Sequence, residues 1–380
     1  MEVKKKTIYY WSPALSKVAT CKAVINSVYS FKKYSRDFNS YLISACGEWN
    51  YYKKEIEEKK INLIKLNINY FRFLLKEGYI FSRISYLLVF LISFFSLFKL
   101  IRQNRPEYLI AHLITSLPIV LFICFRFETK LILRISGLPK LNFFRKFLWK
   151  ISNKFLYAVT CPTEETKKAL VSQGIFSEEK IYLVRDPIIE IASILSKQKE
   201  KIDENYKEGF VLAAGRLTKQ KNQILLINLI QNIAKENPAI KLLILGDGEK
   251  KNFLTKKIKE AKIENNIELL GYKKNIFKYL KKCKCFISTS LWEDPGFVMV
   301  EAAASNCFVI SSDCRSGPKE FIGKDNGLLF KNNNLDDLIN KFNEFNLMSA
   351  EDVNKKIINA KKQSKNYTVF SHYKQLLSIF

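Results

Sequence analysis

The chain has 380 residues, 48 % of them hydrophobic, and 63 Lys and Arg against 36 Asp and Glu give it a formal net charge of +27. That length exceeds one comfortable core and suggests two domains, while the apolar fraction excludes a disordered chain. So positive a surface makes polyanions the expected neighbours, whether phospholipid, nucleic acid or phosphorylated glycan, and the lack of an internal repeat argues against solenoids and propellers.

In chain order, Met1 to Thr7 leads into a strand-like Ile8-Tyr-Tyr-Trp11 with no long apolar region behind it, so no signal peptide is expected. The loop that follows, Trp11 to Thr20, carries Ser12, Ser16 and Thr20 as possible hydrogen-bonding groups. Fifteen uncharged residues, Ile84 to Phe98, lie between Arg83 and Lys99. A spanning helix needs about twenty, so this stretch reads better as a core helix than as an interfacial one. A strand over Glu107 to Ala111 ends at His112, one of two histidines, and Pro118 suits the first turn of the next helix. Leu131 to Gly137 ends another strand with Arg134 and a glycine. Arg134, Lys140, Arg145, Lys146, Lys150 and Lys154 crowd among Leu138, Leu141, Phe143, Phe144, Phe147, Leu148, Trp149 and Phe155. Helical spacing puts these aromatics on one face with cations alongside, which fits a segment lying on an anionic membrane or a buried amphipathic helix with snorkelling lysines. No nucleic-acid-binding motif accompanies them.

The C-terminal half alternates strand and helix five times in about one hundred residues, the sign of a doubly wound parallel sheet. Val211 to Ala214 is a short apolar strand; Gly215, Arg216, Lys219 and Lys221 follow before a helix from Gln223 to Ala234. Arg offers a planar fork and Lys a mobile point charge, a suitable pair for a diphosphate. Ile240 to Leu245 runs into Gly246-Asp247-Gly248, and further strands are expected at Ile267 to Tyr272, Cys285 to Ser290 and Phe308 to Ser312. Glu293 and Glu301 then bracket a Pro295-Gly296 break and an apolar run, the pattern of a tight loop opening a helix. Such a helix start offers unpaired N–H donors and a favourable dipole to an anion, and two carboxylates can accept hydrogen bonds from sugar hydroxyls. Glu301 is expected about two turns into that helix. Ligands of such sheets bind at the carboxyl ends of the strands, where every one of these motifs falls.

Eight cysteines are scattered without regular spacing, and the one close pair, Cys283 and Cys285, has no second pair or His to complete a metal site, so reduced thiols are expected.

Gly215-Arg216-Leu217 with Lys221-Asn222, the turn at 246–248, the paired glutamates, Ser316-Gly-Pro-Lys-Glu320 and Gly327-Leu-Leu-Phe330 together resemble the retaining glycosyltransferases of family 4, which have the GT-B fold of two Rossmann-like domains facing a cleft. The likeness is close over 208–330 and looser before it. It implies a transfer of sugar from a nucleoside-diphosphate donor, UDP-linked, to a glycan or lipid-linked acceptor with retention, as in bacterial surface polysaccharide assembly. By this resemblance Arg216 and Lys221 hold the diphosphate and Glu301 the ribose. Glu293 with Gly296, Phe297 and Val298 faces the transferred sugar, Gly271 and Tyr272 lie beside the base, and His112 lies near the sugar. Ser12, Ser16 and Arg134 are candidate acceptor or phosphate contacts. Ala19 stands where many members have a glycine, which leaves close backbone approach from that side open. No Asp-x-Asp pair suits a metal, and none is expected. These placements put domains at 1–196 and 208–365, the polar run Lys197 to Lys207 reads as the linker, and a C-terminal helix within 366–380 is expected to pack back on the first domain, as the last helix does in related folds. The expected location is the cytoplasm, against the anionic inner leaflet. A nucleotide-sugar epimerase or a sugar phosphorylase of similar fold is a rival reading, and so is a non-catalytic basic membrane- or RNA-binding scaffold.

Overall fold

The computed structural model describes residues 5–380 except 17, 68, 76–78, 139–140, 203–205 and 207; Lys17, Lys140 and part of the 197–207 run therefore lie outside the described residues. The chain divides into two compact units, Met1–Pro187 with Val369–Phe380, and Ile188–Thr368.

The first unit holds β1 (Lys6–Trp11), β2 (Phe38–Ser44), β3 (Asn62–Lys65), β4 (Tyr108–Ala111), β5 (Lys130–Arg134), β6 (Leu156–Cys161) and β7 (Ile181–Leu183). They form one parallel sheet in the order β3-β2-β1-β4-β5-β6-β7. Consecutive apolar residues such as Leu131-Ile132-Leu133 are all buried because helices cover both faces. One face carries α1 (Ala19–Tyr34), α2 (Lys53–Glu58) and the terminal helix Val369–Leu377, with Val24, Ile56 and Leu376 in a shared core. The other carries α3 (Tyr79–Asn104), α4 (Ser116–Cys124), α5 (Phe143–Ser152) and α6 (Glu164–Ser172), around Val89, Leu121, Trp149 and Leu170. Phe380 fastens the terminal segment: its ring stacks on Tyr108 with centroids 4.1 Å apart, and its carbonyl accepts from the Tyr108 hydroxyl at 2.8 Å.

The second unit begins with α7 (Ile191–Lys197) and has β8 (Val211–Ala214), β9 (Leu242–Leu245), β10 (Ile267–Gly271), β11 (Cys285–Ser288), the two-residue β12 (Trp292–Glu293), β13 (Val309–Ser312), the two-residue β14 (Arg315–Ser316) and β15 (Leu328–Phe330). The main sheet is again parallel, in the order β10-β9-β8-β11-β13-β15. Its faces are covered by α8 (Ile224–Ile233), α9 (Lys251–Glu260) and α13 (Leu335–Leu347) on one side, and by α7, α10 (Phe277–Leu280), α11 (Phe297–Ala304), α12 (Gly317–Ile322) and α14 (Ala350–Ser364) on the other. In each sheet the order reverses once, between β1 and β4 and between β8 and β11, and there the connecting helices leave to opposite faces and open a crevice at the strands' carboxyl ends.

Two expectations need correction. The 197–207 run does not lie between the units: Ile194 is buried, Asn275 Nδ2 donates to the Lys197 carbonyl at 2.8 Å and Lys278 Nζ to that of Lys201 at 2.9 Å, so the unit boundary falls after Pro187. Nor is the apolar stretch 84–98 a core helix. It belongs to the 26-residue α3, and only 28 % of its apolar window is buried. Residues four apart, Ser85, Val89, Ser93, Leu97 and Ile101, give α3 a narrow inward stripe, too few to hide a helix apolar on all sides. Cys283 pairs by proximity with Cys307, Sγ to Sγ 3.1 Å, and not with Cys285. All eight cysteines are free thiols.

Candidate active site

In the second unit the site is built by two loops laced together at the order reversal. The loop after β8 turns at Gly215 and makes a short 3-10 turn, Lys219–Lys221. Gly246 explains itself here, because a Cβ on it would lie 1.8 Å from the Gly215 carbonyl oxygen. The loop after β11 is tied to this turn: Thr289 Oγ1 donates to the carbonyls of Lys221 (3.0 Å) and Asn222 (3.1 Å), and Gln220 Nε2 donates to that of Trp292 at 2.8 Å. This lacing fixes Lys221 opposite Glu293, and the two form an ion pair through Nζ and Oε1. Ser290 Oγ donates to the same oxygen at 2.6 Å. Oε2 receives no hydrogen bond from the described residues. Glu293 is buried at 7 % exposure, while the Lys221 side chain keeps 21 %.

Gly296 opens α11 with φ +93°, a left-handed conformation that glycine takes without strain, and provides no side-chain cap. At the start of α11 the Met299 and Val300 N–H groups donate to the Gly296 carbonyl, which leaves those of Phe297 and Val298 without a backbone partner and facing out of the helix start. Lys221, Glu293, Gly296 and Val298 line one hollow with Ala214 and Ser288. Phe297, the first residue of α11, sits beside it, half-buried. Glu301 is buried on α11 just over one turn from its start, short of the expected two, because the helix begins at Phe297. Arg216 is exposed and Tyr272 is 78 % exposed; neither lines the hollow, and Gly271 ends β10, which is separated from β11 by β9 and β8.

In the first unit, Ser12 Oγ, His112 Nε2 and Ser136 Oγ are buried without a hydrogen-bond partner at the carboxyl ends of β1, β4 and β5, three neighbouring strands. Buried polar atoms are seldom left unpaired, and these three fall at the ends of adjacent strands. Ser16 is exposed and is not among these orphaned groups. Burial, helped by the charge of Arg134, holds the His112 imidazole well below its ordinary pKa, so it is neutral near pH 7.

Arg134 is not a phosphate contact. It is 3 % exposed, and its guanidinium donates to Asp186 Oδ1 and to the Val184 carbonyl, both at 2.6 Å. Burial pushes the Asp186 carboxyl up against the pull of Arg134. The partner lies 52 residues away, so nothing local in sequence announced it. Sequence reasoning also passed over Ser136, Thr289 and Ser290; their signal was small polar residues directly after apolar strands.

His372, given no role from sequence, is a buried fastener of the terminal helix: Nδ1 lies 2.7 Å from the Arg185 carbonyl and Nε2 2.7 Å from Ser27 Oγ. The carbonyl can only accept, so Nδ1 carries the proton and Nε2 accepts from Ser27. Burial lowers its pKa to about 3. An unfolded His takes a proton near 6.5 and this one does not, so its contribution is complete above about pH 6.5 and is lost as pH falls towards 3, by up to about 1.4 kcal/mol per pH unit. Urea midpoints should therefore drop between pH 7 and pH 5, and less steeply in His372→Gln; identical slopes would remove His372 as the sensor.

Two Rossmann-like parallel-sheet units, each with polar groups gathered at the carboxyl ends of its strands, define the GT-B class of fold. The chain superposes on the Anabaena protein HepE, solved in complex with UDP and glucose, with a TM-score of 0.72 and 17 % identity over 99 % of each chain. Residues 196–364 match the family described as glycosyl transferases group 1. An uncharacterized glycosyltransferase of Methanocaldococcus jannaschii is 33 % identical over 60 % of this chain and 61 % of its own length. A Campylobacter jejuni N-acetylgalactosamine-N,N'-diacetylbacillosaminyl-diphospho-undecaprenol 4-alpha-N-acetylgalactosaminyltransferase is 30 % identical over 61 % of this chain and 62 % of its own. The match thus spans less than two-thirds of either relative. The chain has the GT-B fold, and its residues 196–364 are similar to the glycosyl transferases group 1 family.

Proposed function

We propose that this protein transfers a sugar from a nucleoside-diphosphate donor, UDP-linked, to a hydroxyl of a glycan or lipid-linked acceptor, with retention at the anomeric carbon. The observation that carries the reading is the Lys221–Glu293 ion pair, held by two laced loops over the hollow at the start of α11. Lys221 has three N–H donors and spends one on Glu293, so it can reach a phosphate without leaving its carboxylate. As the glycosidic bond breaks, the leaving diphosphate gains negative charge; Lys221, Arg216 and the first-turn N–H groups of α11 stabilise that charge more than they stabilise the bound donor. This set supplies the neutralisation for which a divalent ion would otherwise serve, and the reading needs no metal. Glu293 holds sugar hydroxyls through Oε2 and is not a covalent nucleophile. Glu301 accepts from the ribose, and Gly271 and Tyr272 lie on the side of the base. Ser12, Ser16 and the neutral His112 serve the transferred sugar or the acceptor.

Support for a UDP donor comes from HepE, solved with UDP and glucose, and support for a lipid-linked acceptor from the Campylobacter relative, named for a diphospho-undecaprenol substrate. In this reading the protein works in the assembly of bacterial surface polysaccharide, on the inner face of the plasma membrane. Lys221→Ala tests it. Turnover of the UDP-sugar should fall at least about tenfold, equivalent to about 1.4 kcal/mol in the barrier, with an unaltered circular dichroism spectrum. Unchanged turnover would take Lys221 out of the site.

A further inference from the structure

α3 has the reverse of the pattern expected for a helix facing water. Its inward stripe includes Ser85 and Ser93, while its outward stripe is Ile84, Leu87, Leu88, Leu91, Ile92 and Phe95, from 42 % to 76 % exposed. The spacing i, i+3, i+4, i+7, i+8, i+11 places all six on one side of the helix. No charge interrupts it between Arg83 and Lys99. An apolar strip of this length on a soluble surface marks a surface built to be covered.

Among the described residues nothing covers this stripe, and although the helix is long and apolar enough to span a bilayer, its connections keep it from crossing one. The strands that flank α3 in sequence, β3 and β4, belong to one parallel sheet, which fixes both ends of the connection to the same unit. Hydrogen bonds stitch the inward side down: Ser85 Oγ donates to the Leu75 carbonyl at 2.7 Å, Ser96 Oγ to Asn67 Oδ1 at 2.7 Å, and Asn67 Nδ2 to Ser93 Oγ at 3.3 Å. α3 therefore lies flat, about 39 Å of helix with its apolar side outward.

Charge decides what covers it. α4 packs against both α3 and α5 on this face of the sheet. α5 turns Trp149 inward and leaves Phe143, Phe144 and Phe147 exposed, with Arg145, Lys146 and Lys150 exposed among them. A second copy would bring +27 against +27. An anionic bilayer offers acyl chains to the α3 stripe and headgroup phosphates to the α5 cations.

We infer that the outward face of α3, together with the exposed edge of α5, is a flat insertion surface for an anionic lipid bilayer. This deepens the peripheral-membrane part of the proposed function by naming the surface, and it rests on observations in the first unit alone. α3 supplies the apolar insertion and α5 the salt-dependent attraction.

Vesicle flotation of the full chain tests the inference, using phosphatidylcholine vesicles with and without phosphatidylglycerol at low and high salt. The intact protein should float with the anionic vesicles and keep part of its binding at high salt. Leu87→Ser with Leu91→Ser and Phe95→Ser should weaken partition at least about tenfold and abolish the salt-resistant part, with an unchanged melting temperature. Arg145→Gln with Lys146→Gln should weaken binding mainly at low salt. Undiminished flotation of the triple-serine variant, or binding wholly lost in salt for the intact protein, overturns insertion by α3. So does light scattering that finds a dimer dissolved by the serine changes, since the occupant would then be a second copy. UDP-sugar binding by calorimetry should be the same in all variants, so failure here leaves the donor site standing, and failure of the Lys221 test leaves the docking surface standing.

Discussion

Glu293→Ala should lower sugar transfer by about a hundred- to a thousandfold, about 3 to 4 kcal/mol in the barrier, the range for deleting one preorganised polar group at a reacting centre. Two losses act together. The open Oε2 can no longer hold the sugar, and Lys221, with 21 % of its side chain exposed, loses the carboxylate that positions it. Ser290 loses its acceptor as well. Glu293→Gln separates these effects: the amide oxygen can still accept from Lys221 and Ser290, so the loops keep their places while the charge is gone. It should therefore retain more activity than the alanine variant and show a nearly native melting temperature. Measuring UDP release with acceptor present, and donor affinity by calorimetry, divides the loss between turnover and binding. Turnover within a few-fold of the intact protein in Glu293→Ala would remove the carboxylate from the reaction.

What could be read in the sequence was what is local. Gly215, Lys221, Glu293 and Gly296 sit in short strand–loop–helix junctions whose residue types are dictated by backbone turns, and the alternation of such junctions with apolar strands carried the second unit's parallel sheet, whereas the first sheet was implied only by the resemblance. Pairing across long separations was not readable. Lys221 meets Glu293 across 72 residues and Arg134 meets Asp186 across 52, so one cation read as a ligand contact lines the hollow and the other is locked inside a core. Apolar composition also failed to tell burial from exposure. Leu245 and Leu91 look alike in sequence, but the first lies in a sheet covered on both faces and the second on the uncovered side of α3. Periodicity shows that a helix has faces; only the fold shows how many of them find a neighbour.

His112→Ala should lower turnover about a hundredfold while leaving UDP affinity within a few-fold, because His112 belongs to the first unit and Lys221, Glu293 and Glu301 to the second. Its Nε2 has no hydrogen-bond partner. An imidazole nitrogen buried without a hydrogen bond costs stability, and that cost is tolerable where a ligand hydroxyl later supplies the bond. Ser12 and Ser136 flank it with the same deficit, so a sugar bound there would satisfy three groups at once. His112→Gln keeps an amide able to donate or accept and should recover part of the turnover. The pH profile distinguishes this role from that of a titrating acid or base. Burial and the Arg134 charge disfavour the imidazolium, so protonation is displaced well below pH 6.5 and turnover should show no limb near that pH from His112. An acidic limb near 6.5 that disappears in His112→Gln would mean that the ring changes charge during the cycle, and the neutral hydrogen-bonding role would have to be given up.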